Sequence, residues 1–158
     1  SNYYFDGRKL SLDPEGAYLI GRCLLPLVLE SGAQAVGGPT IGADPIVAAL
    51  AMTSYIEGTP VSAFVVRSKV KEYGTRKLIE GNIVKDSRVA IVDDTCSTGG
   101  NLLQAIEAVE AEGCSVVQVL VVMDRDQGGS DILKRRGFQF TSLMEVDNEG
   151  SLRVRTDL

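Results

Sequence analysis

The chain has 158 residues, 44% of them hydrophobic and 23% charged, which suits one domain with a real apolar core rather than two. Lys and Arg number 16 against 21 Asp and Glu, and the net charge of −5 argues against a nucleic-acid or anionic-membrane surface as its main partner. Three cysteines without a C-x-x-C, and no histidine, argue against a zinc site or a disulfide framework and for a reducing cytoplasm.

The N-terminus lacks the charged start and apolar centre of a signal peptide, and no apolar run reaches the roughly 18 residues that span a bilayer. Asp13-Pro14-Glu15 opens the first expected helix, with Asp as cap and Pro in the first turn. It continues through Leu29 and stops near Gly32. A brief strand over 35–37 and a Gly-rich connection over 38–44 precede a helix over 45–56. A strand over 61–66 follows, then a polar stretch over 67–82 without periodicity.

Next come a strand over 89–92 and a helix over 101–112, in which Leu102, Ile106 and Val109 share one face. Residues 116–123 form a nearly continuous apolar run, as expected of a strand covered on both faces. A short helix over 130–136, a strand over 138–143 and an edge strand over 151–155 complete the chain. The alternation of strands and helices predicts an α/β domain over residues 1–158 with a central, mostly parallel sheet flanked by helices.

Residues 89–101 read Val-Ala-Ile-Val-Asp-Asp-Thr-Cys-Ser-Thr-Gly-Gly-Asn. Val89, Ile91 and Val92 supply a strand, and Asp93 and Asp94 stand where it is expected to run out. Residues 95–100 can then turn their backbone N–H groups around an anion. Gly99 and Gly100 permit positive φ and close approach, and the following helix offers its N-terminus to a phosphate. Neither a G-x-x-x-x-G-K-[ST] nor a G-x-G-x-x-G after a strand is present. Carboxylates directly before such a turn suit a ligand with hydroxyls beside its phosphate, such as a ribose 5-phosphate; a polar turn merely closed by glycines is the competing reading. Cys96 lies inside this segment, but no histidine is present to activate it as a nucleophile.

The stretch over 67–82 is longer than connections in compact domains usually are without a functional reason. Its cations Arg67, Lys69, Lys71, Arg76 and Lys77, with Gly74, suit a movable lid over a polyanion; a solvated charged loop is the alternative.

Residues 89–101 resemble the phosphoribosyl pyrophosphate (PRPP) motif of the type I phosphoribosyltransferases. Further segments resemble the orotate branch of that family over nearly the whole chain. Ser1-Asn2-Tyr3-Tyr4-Phe5-Asp6-Gly7-Arg8-Lys9 is similar to its S-x-Y-Y-F-D stretch. Gly37-Gly38-Pro39-Thr40-Ile41-Gly42-Ala43-Asp44-Pro45 is similar to the pyrophosphate-side loop. Arg67 with Lys69-Val70-Lys71-Glu72-Tyr73-Gly74-Thr75 and Glu80-Gly81 is similar to the flexible catalytic loop, and Asp124-Arg125-Asp126-Gln127-Gly128-Gly129 to the D-R-x-x-G-G segment.

The resemblance implies transfer of a phosphoribosyl group from PRPP to orotate. Lys71, Asp93 and Asp94 are the catalytic residues it implies. Asp93 and Asp94 would hold the ribose hydroxyls, and the backbone of Thr95, Cys96, Ser97, Thr98, Gly99, Gly100 and Asn101 the 5′-phosphate. Lys71, aided by Arg67 and Tyr73, would reach the pyrophosphate; Ser97 and Arg125 would meet orotate. Mg²⁺ is the implied cofactor, bound mainly through PRPP rather than by protein ligands, and a homodimer the implied assembly. The family pattern has a further N-terminal part, with a helix and an orotate-contacting lysine, and since the sequence starts inside the S-x-Y-Y-F-D segment that part is expected to be missing. Ser68 and Gly42 stand where many members carry lysine, and Tyr73 where histidine is common. A PRPP-binding regulatory or catalytically reduced protein on this fold, or a phosphoribosyltransferase for another base, are the alternatives.

Overall fold

Apolar runs of strand length demand cover on both faces of a sheet, and the computed structural model of the chain supplies it. The structure describes residues 6–69, 78–146 and 150–156. Seven strands form one sheet in the order β3-β2-β1-β4-β5-β6-β7. They are β1 (Ala35–Pro39), β2 (Ser62–Val66), β3 (Ile79–Gly81), β4 (Arg88–Cys96), β5 (Ser115–Asp124), β6 (Phe140–Val146) and β7 (Leu152–Val154). The central five pair in parallel, while β3 and β7 are antiparallel at the two edges. The predicted α/β architecture is the observed one.

The helices are α1 (Gly7–Ser11), α2 (Pro14–Glu30), α3 (Asp44–Ile56), α4 (Gly100–Ala111) and α5 (Gly129–Arg135). Asp13 starts α2 as its composition predicts: its side chain accepts from the Gly16 amide at 2.9 Å, and Pro14 takes the first position. Successive side chains on a strand point to opposite faces, which divides the core in two. Ala90 and Val92 of β4, with Leu120 and Val122 of β5, pack under Leu24, Val28, Ile46 and Leu50 of α2 and α3. Val89 and Ile91, with Val119 and Val121, pack against Leu102, Ile106 and Val109 of α4 and Leu133 of α5.

The strand order reverses between β1 and β4: β2 lies outside β1, and β5 lies beyond β4. Connections leaving the carboxyl ends of β1 and β4 therefore diverge to opposite sides and leave a crevice between them, the usual ligand position in an open α/β sheet.

Several boundaries differ from the expected ones. β4 runs on to Cys96 instead of ending at Val92, because Asp93, Thr95 and Cys96 stay paired with Val121, Met123 and Asp124 of β5. β3 lies inside the stretch expected to lack structure, and the Arg67 amide bonds the Leu78 carbonyl at 2.8 Å to close this hairpin. α1 was not expected. β6 begins at Phe140 rather than at 138, since the Phe138 amide instead caps α5 through the Leu133 carbonyl at 3.1 Å. Among the described residues no helix is long and apolar enough to cross a membrane.

Candidate active site

A cavity of about 430 Å³ occupies the crevice between β1 and β4. One wall is the turn after β1, with Thr40, Ile41 and Gly42. Its floor is the end of β4, with Asp93, Asp94 and Thr95. Ser97, Thr98, Gly99, Gly100 and Asn101 form a second wall, and Arg125 stands beside them at the end of β5. Helix α1 closes the remaining side with Asp6, Gly7 and Arg8.

The two carboxylates differ sharply in environment. Asp93 is 5% exposed, and its Oδ1 accepts the Asp94 amide at 2.9 Å. Asp94 is half-buried and accepts the Thr95 hydroxyl at 3.2 Å. Burial first, and then the neighbouring Asp94 charge, push the Asp93 carboxyl up to about 8. Burial also raises Asp44, at the start of α3, whose charge adds to the load on Asp93.

Close approach to this pair is reserved for glycine. A Cβ on Gly42 would come 2.6 Å from Asp93 Oδ1 and 2.7 Å from Asp94 Oδ1; one on Gly7 would come 2.8 Å from Asp94 Cβ. The anion-binding turn follows the same logic. Gly99 adopts φ 81°, a left-handed conformation that L side chains avoid, and no side chain caps the start of α4. Gly100, Asn101 and Leu102, which open this 12-residue helix, line the cavity, and uncapped amides of this kind suit an anion. The loop after β5 holds the turn in place: the Gly129 amide donates to the Ser97 carbonyl, and the Arg125 amide to the Cys96 carbonyl, both at 2.9 Å.

Most of the residues singled out from sequence therefore converge on one cavity. Asp93, Asp94, Thr95, Ser97, Thr98, Gly99, Gly100, Asn101 and Arg125 all line it. Cys96 was expected to contribute its backbone, and its side chain points away from the cavity. Its side chain is 1% exposed and packs in the core with Leu102 and Leu133, because β4 continues through it instead of turning at Thr95. Its thiol is pushed up to about 12 by burial, then by the charges of Asp124 and Asp93, which removes any nucleophilic role at neutral pH. Arg67 lines a small adjoining recess that shares Pro39, Thr40 and Asn101 with the main cavity. Its Nη1 pairs with Glu80 Oε1 at 3.2 Å, while its buried Nε has no hydrogen-bond partner among the described residues. Lys71 and Tyr73 lie outside the described residues. Asp6 and Arg8 were assigned no role from sequence, since a five-residue helix carries too short a pattern to place a face.

The comparisons with known proteins bear on this cavity directly. The phosphoribosyl transferase domain matches residues 43–149. Orotate phosphoribosyltransferase of Aquifex aeolicus is 39% identical over 146 residues, covering 92% of this chain and 80% of the relative. The Streptomyces avermitilis enzyme of the same name is 42% identical over 131 residues, covering 83% of this chain and 72% of that one. The crystal structure of Mycobacterium tuberculosis H37Rv orotate phosphoribosyltransferase in complex with PRPP superposes with a TM-score of 0.80 at 36% identity, covering 90% of this chain and 81% of that one.

The chain belongs to the orotate phosphoribosyltransferase family. For an orotate phosphoribosyltransferase, the glycine at position 42 has a local cause: the Asp93 and Asp94 oxygens occupy the space that a Cβ would take. A lysine there must move a carboxylate before its ammonium can reach a ligand.

Proposed function

We propose that this orotate phosphoribosyltransferase holds PRPP in the crevice between β1 and β4. Asp93 and Asp94 receive the ribose hydroxyls. The amides of Ser97, Thr98, Gly99, Gly100 and Asn101 receive the 5′-phosphate, and Thr95 positions Asp94 through its hydroxyl. Orotate lies toward Ser97 and Arg125, where a guanidinium can take its carboxylate bidentately. The observation that carries this reading is the aspartate pair, Asp93 buried and Asp94 half-buried, set shortly before an uncapped helix start within one cavity of about 430 Å³.

The reaction transfers the 5-phosphoribosyl group from PRPP to orotate and gives orotidine 5′-phosphate and pyrophosphate, a step of de novo pyrimidine (UMP) synthesis. Orotate N1 bonds to ribose C1 as the bond from C1 to the pyrophosphate oxygen breaks. Positive charge builds on the sugar and negative charge on the departing group. Positioning and cations at the leaving group account for catalysis without a covalent enzyme intermediate. Lys71, with Arg67 and Tyr73, supplies those cations and donors.

Mg²⁺ fits as a partner of PRPP itself. The described residues include no group of three or more ligating side chains, and this ion is commonly held by substrate phosphates with few protein ligands. When bound it neutralises charge on the diphosphate. We read the chain as one phosphoribosyltransferase domain over 1–158 that works in the cytoplasm as a homodimer.

A spectrophotometric assay of orotate with PRPP and Mg²⁺ tests the function. Consumption of orotate with formation of orotidine 5′-phosphate is expected. PRPP binding without turnover would instead favour a regulatory protein on this fold.

A further inference from the structure

Helix α1 delivers a cation to the cavity that no motif singles out. We propose that Arg8 binds the pyrophosphate group of PRPP, an inference that rests on the assignment of the cavity to PRPP.

Its position follows from two glycines. Asp94 presents one carboxylate oxygen to each of two backbone segments. A Cβ on Gly42 would lie 2.7 Å from Oδ1, and one on Gly7 would lie 2.9 Å from Oδ2. Helix α1 and the turn after β1 are therefore neighbours across a single carboxylate. Arg8, next after Gly7, lines the cavity together with Thr40 and Ile41 of that turn.

Its orientation is set locally. Asp6 caps α1, and its Oδ1 accepts both the Arg8 amide at 3.3 Å and Arg8 Nε at 3.2 Å. The carboxylate thereby holds the guanidinium at the mouth of its own helix, with the plane of its donor fork fixed from one edge.

Charge then assigns the occupant. Among the described residues lining the cavity, the cations are Arg8 and Arg125, facing the carboxylates Asp6, Asp93 and Asp94. PRPP and orotate together bring three anionic groups. The start of α4 answers the 5′-phosphate, and Arg125, on the β5 side of β4, answers the orotate carboxylate. The diphosphate, which Lys71, Arg67 and Tyr73 meet from the segment after β2, gains no cation from the turn after β1, where Gly42 stands. Arg8 lines the same cavity as that turn, its helix contacts β4 and α3, the helix into which the turn leads, and a guanidinium matches phosphate oxygens in a bidentate fork.

The test is steady-state kinetics in both directions for wild type, Arg8→Gln and Arg8→Lys, with titration calorimetry of pyrophosphate alone. For Arg8→Gln we expect the KM of PRPP and that of pyrophosphate in the reverse reaction to rise about tenfold or more, as loss of a charge-assisted phosphate contact requires. The KM of orotate and the melting temperature should stay at wild-type values. Arg8→Lys, which keeps the charge but not the fork, should fall between. An active wild type beside an Arg8→Gln enzyme with unchanged PRPP and pyrophosphate KM overturns the assignment, as does a rise confined to orotate. A wild type that neither consumes orotate nor binds pyrophosphate overturns the reading of the cavity and, with it, the role of Arg8.

Discussion

The Gly129 amide donates to the Ser97 carbonyl at 2.9 Å, and no side chain fits between the two loops they join. A Cβ on Gly129 would come 2.6 Å from Gly99 N, 2.6 Å from Ser97 O and 2.7 Å from Cys96 Sγ. Two of those atoms are backbone, so they cannot yield without moving the turn that faces the cavity. Gly129→Ala should therefore destabilise by about 1–3 kcal/mol, the usual cost of overpacking, and raise the KM of PRPP. A melting curve and a PRPP KM both equal to wild type would contradict this coupling between the β5 loop and the anion-binding turn.

Asp93 makes stability depend on pH with a definite sign. Its folded value near 8 lies above the ordinary 3.8, so between those values the native state holds a proton that the unfolded chain releases. Native protein thus binds more protons than unfolded protein, and this contribution to stability is lost as pH rises toward 8. Asp93→Asn should remove the dependence: at pH 8.5, roughly the upper end of the window, the variant should melt above wild type, with the gap narrowing toward pH 5. Asp94→Asn, by removing the second largest cause, should shift the midpoint down. Parallel melting profiles for wild type and Asp93→Asn from pH 5 to 8.5, roughly the whole window, would be inconsistent with a protonated Asp93.

Arg125 is half-buried, and its amide is tied to Cys96, which holds its backbone at the cavity wall. Arg125→Ala should cut kcat/KM for orotate on the order of ten- to a hundredfold, the range of a lost hydrogen bond to a charged group. The KM of PRPP should change little. Equal losses for both substrates would place Arg125 outside the base-binding end.

Lys71 should act on the transition state more than on binding. Its replacement by alanine should lower kcat on the order of a hundredfold or more, as loss of one well-placed donor to developing charge does. PRPP affinity should fall less. Near-wild-type turnover of Lys71→Ala would remove the lysine from the chemistry.

The three cysteines should separate by reactivity. Cys23 is exposed, whereas Cys96 and Cys114 are buried. Burial also holds the Cys96 thiol at about 12, so its thiolate is scarce at neutral pH. A thiol-titrating reagent should modify Cys23 quickly in native protein and reach the other two only on unfolding. Rapid native modification of Cys96, read by peptide mass mapping, would show that the end of β4 opens.

Much of this was legible along the chain because it is local. Asp13-Pro14 announces a helix start by capping chemistry, and the apolar run over 116–123 announces a strand covered on both faces. Asp93-Asp94 followed by Gly99-Gly100 signals a polar anion-binding turn, since those residue types serve it wherever they stand. The length of β4 was not legible. Asp93 and Asp94 are poor strand residues by type, and the strand runs on through them to Cys96 because β5 supplies hydrogen-bonding partners about 28 residues later in the chain. For the same reason the sequence alone does not tell that the Cys96 side chain lies in the core.

Residue order alone established the alternation of strands and helices and the run of carboxylate, hydroxyl and glycine residues over 93–101, because helix caps, apolar periods and turn glycines act over a few neighbouring residues. Only the folded chain decided where those groups meet. Strand order turns back between β1 and β4, which opens the crevice, and α1 meets Asp94 at Gly7 and brings Arg8 into the cavity lining. Such meetings depend on contacts between residues distant in sequence, and a short segment carries no periodic signal of a partner it meets only through the sheet.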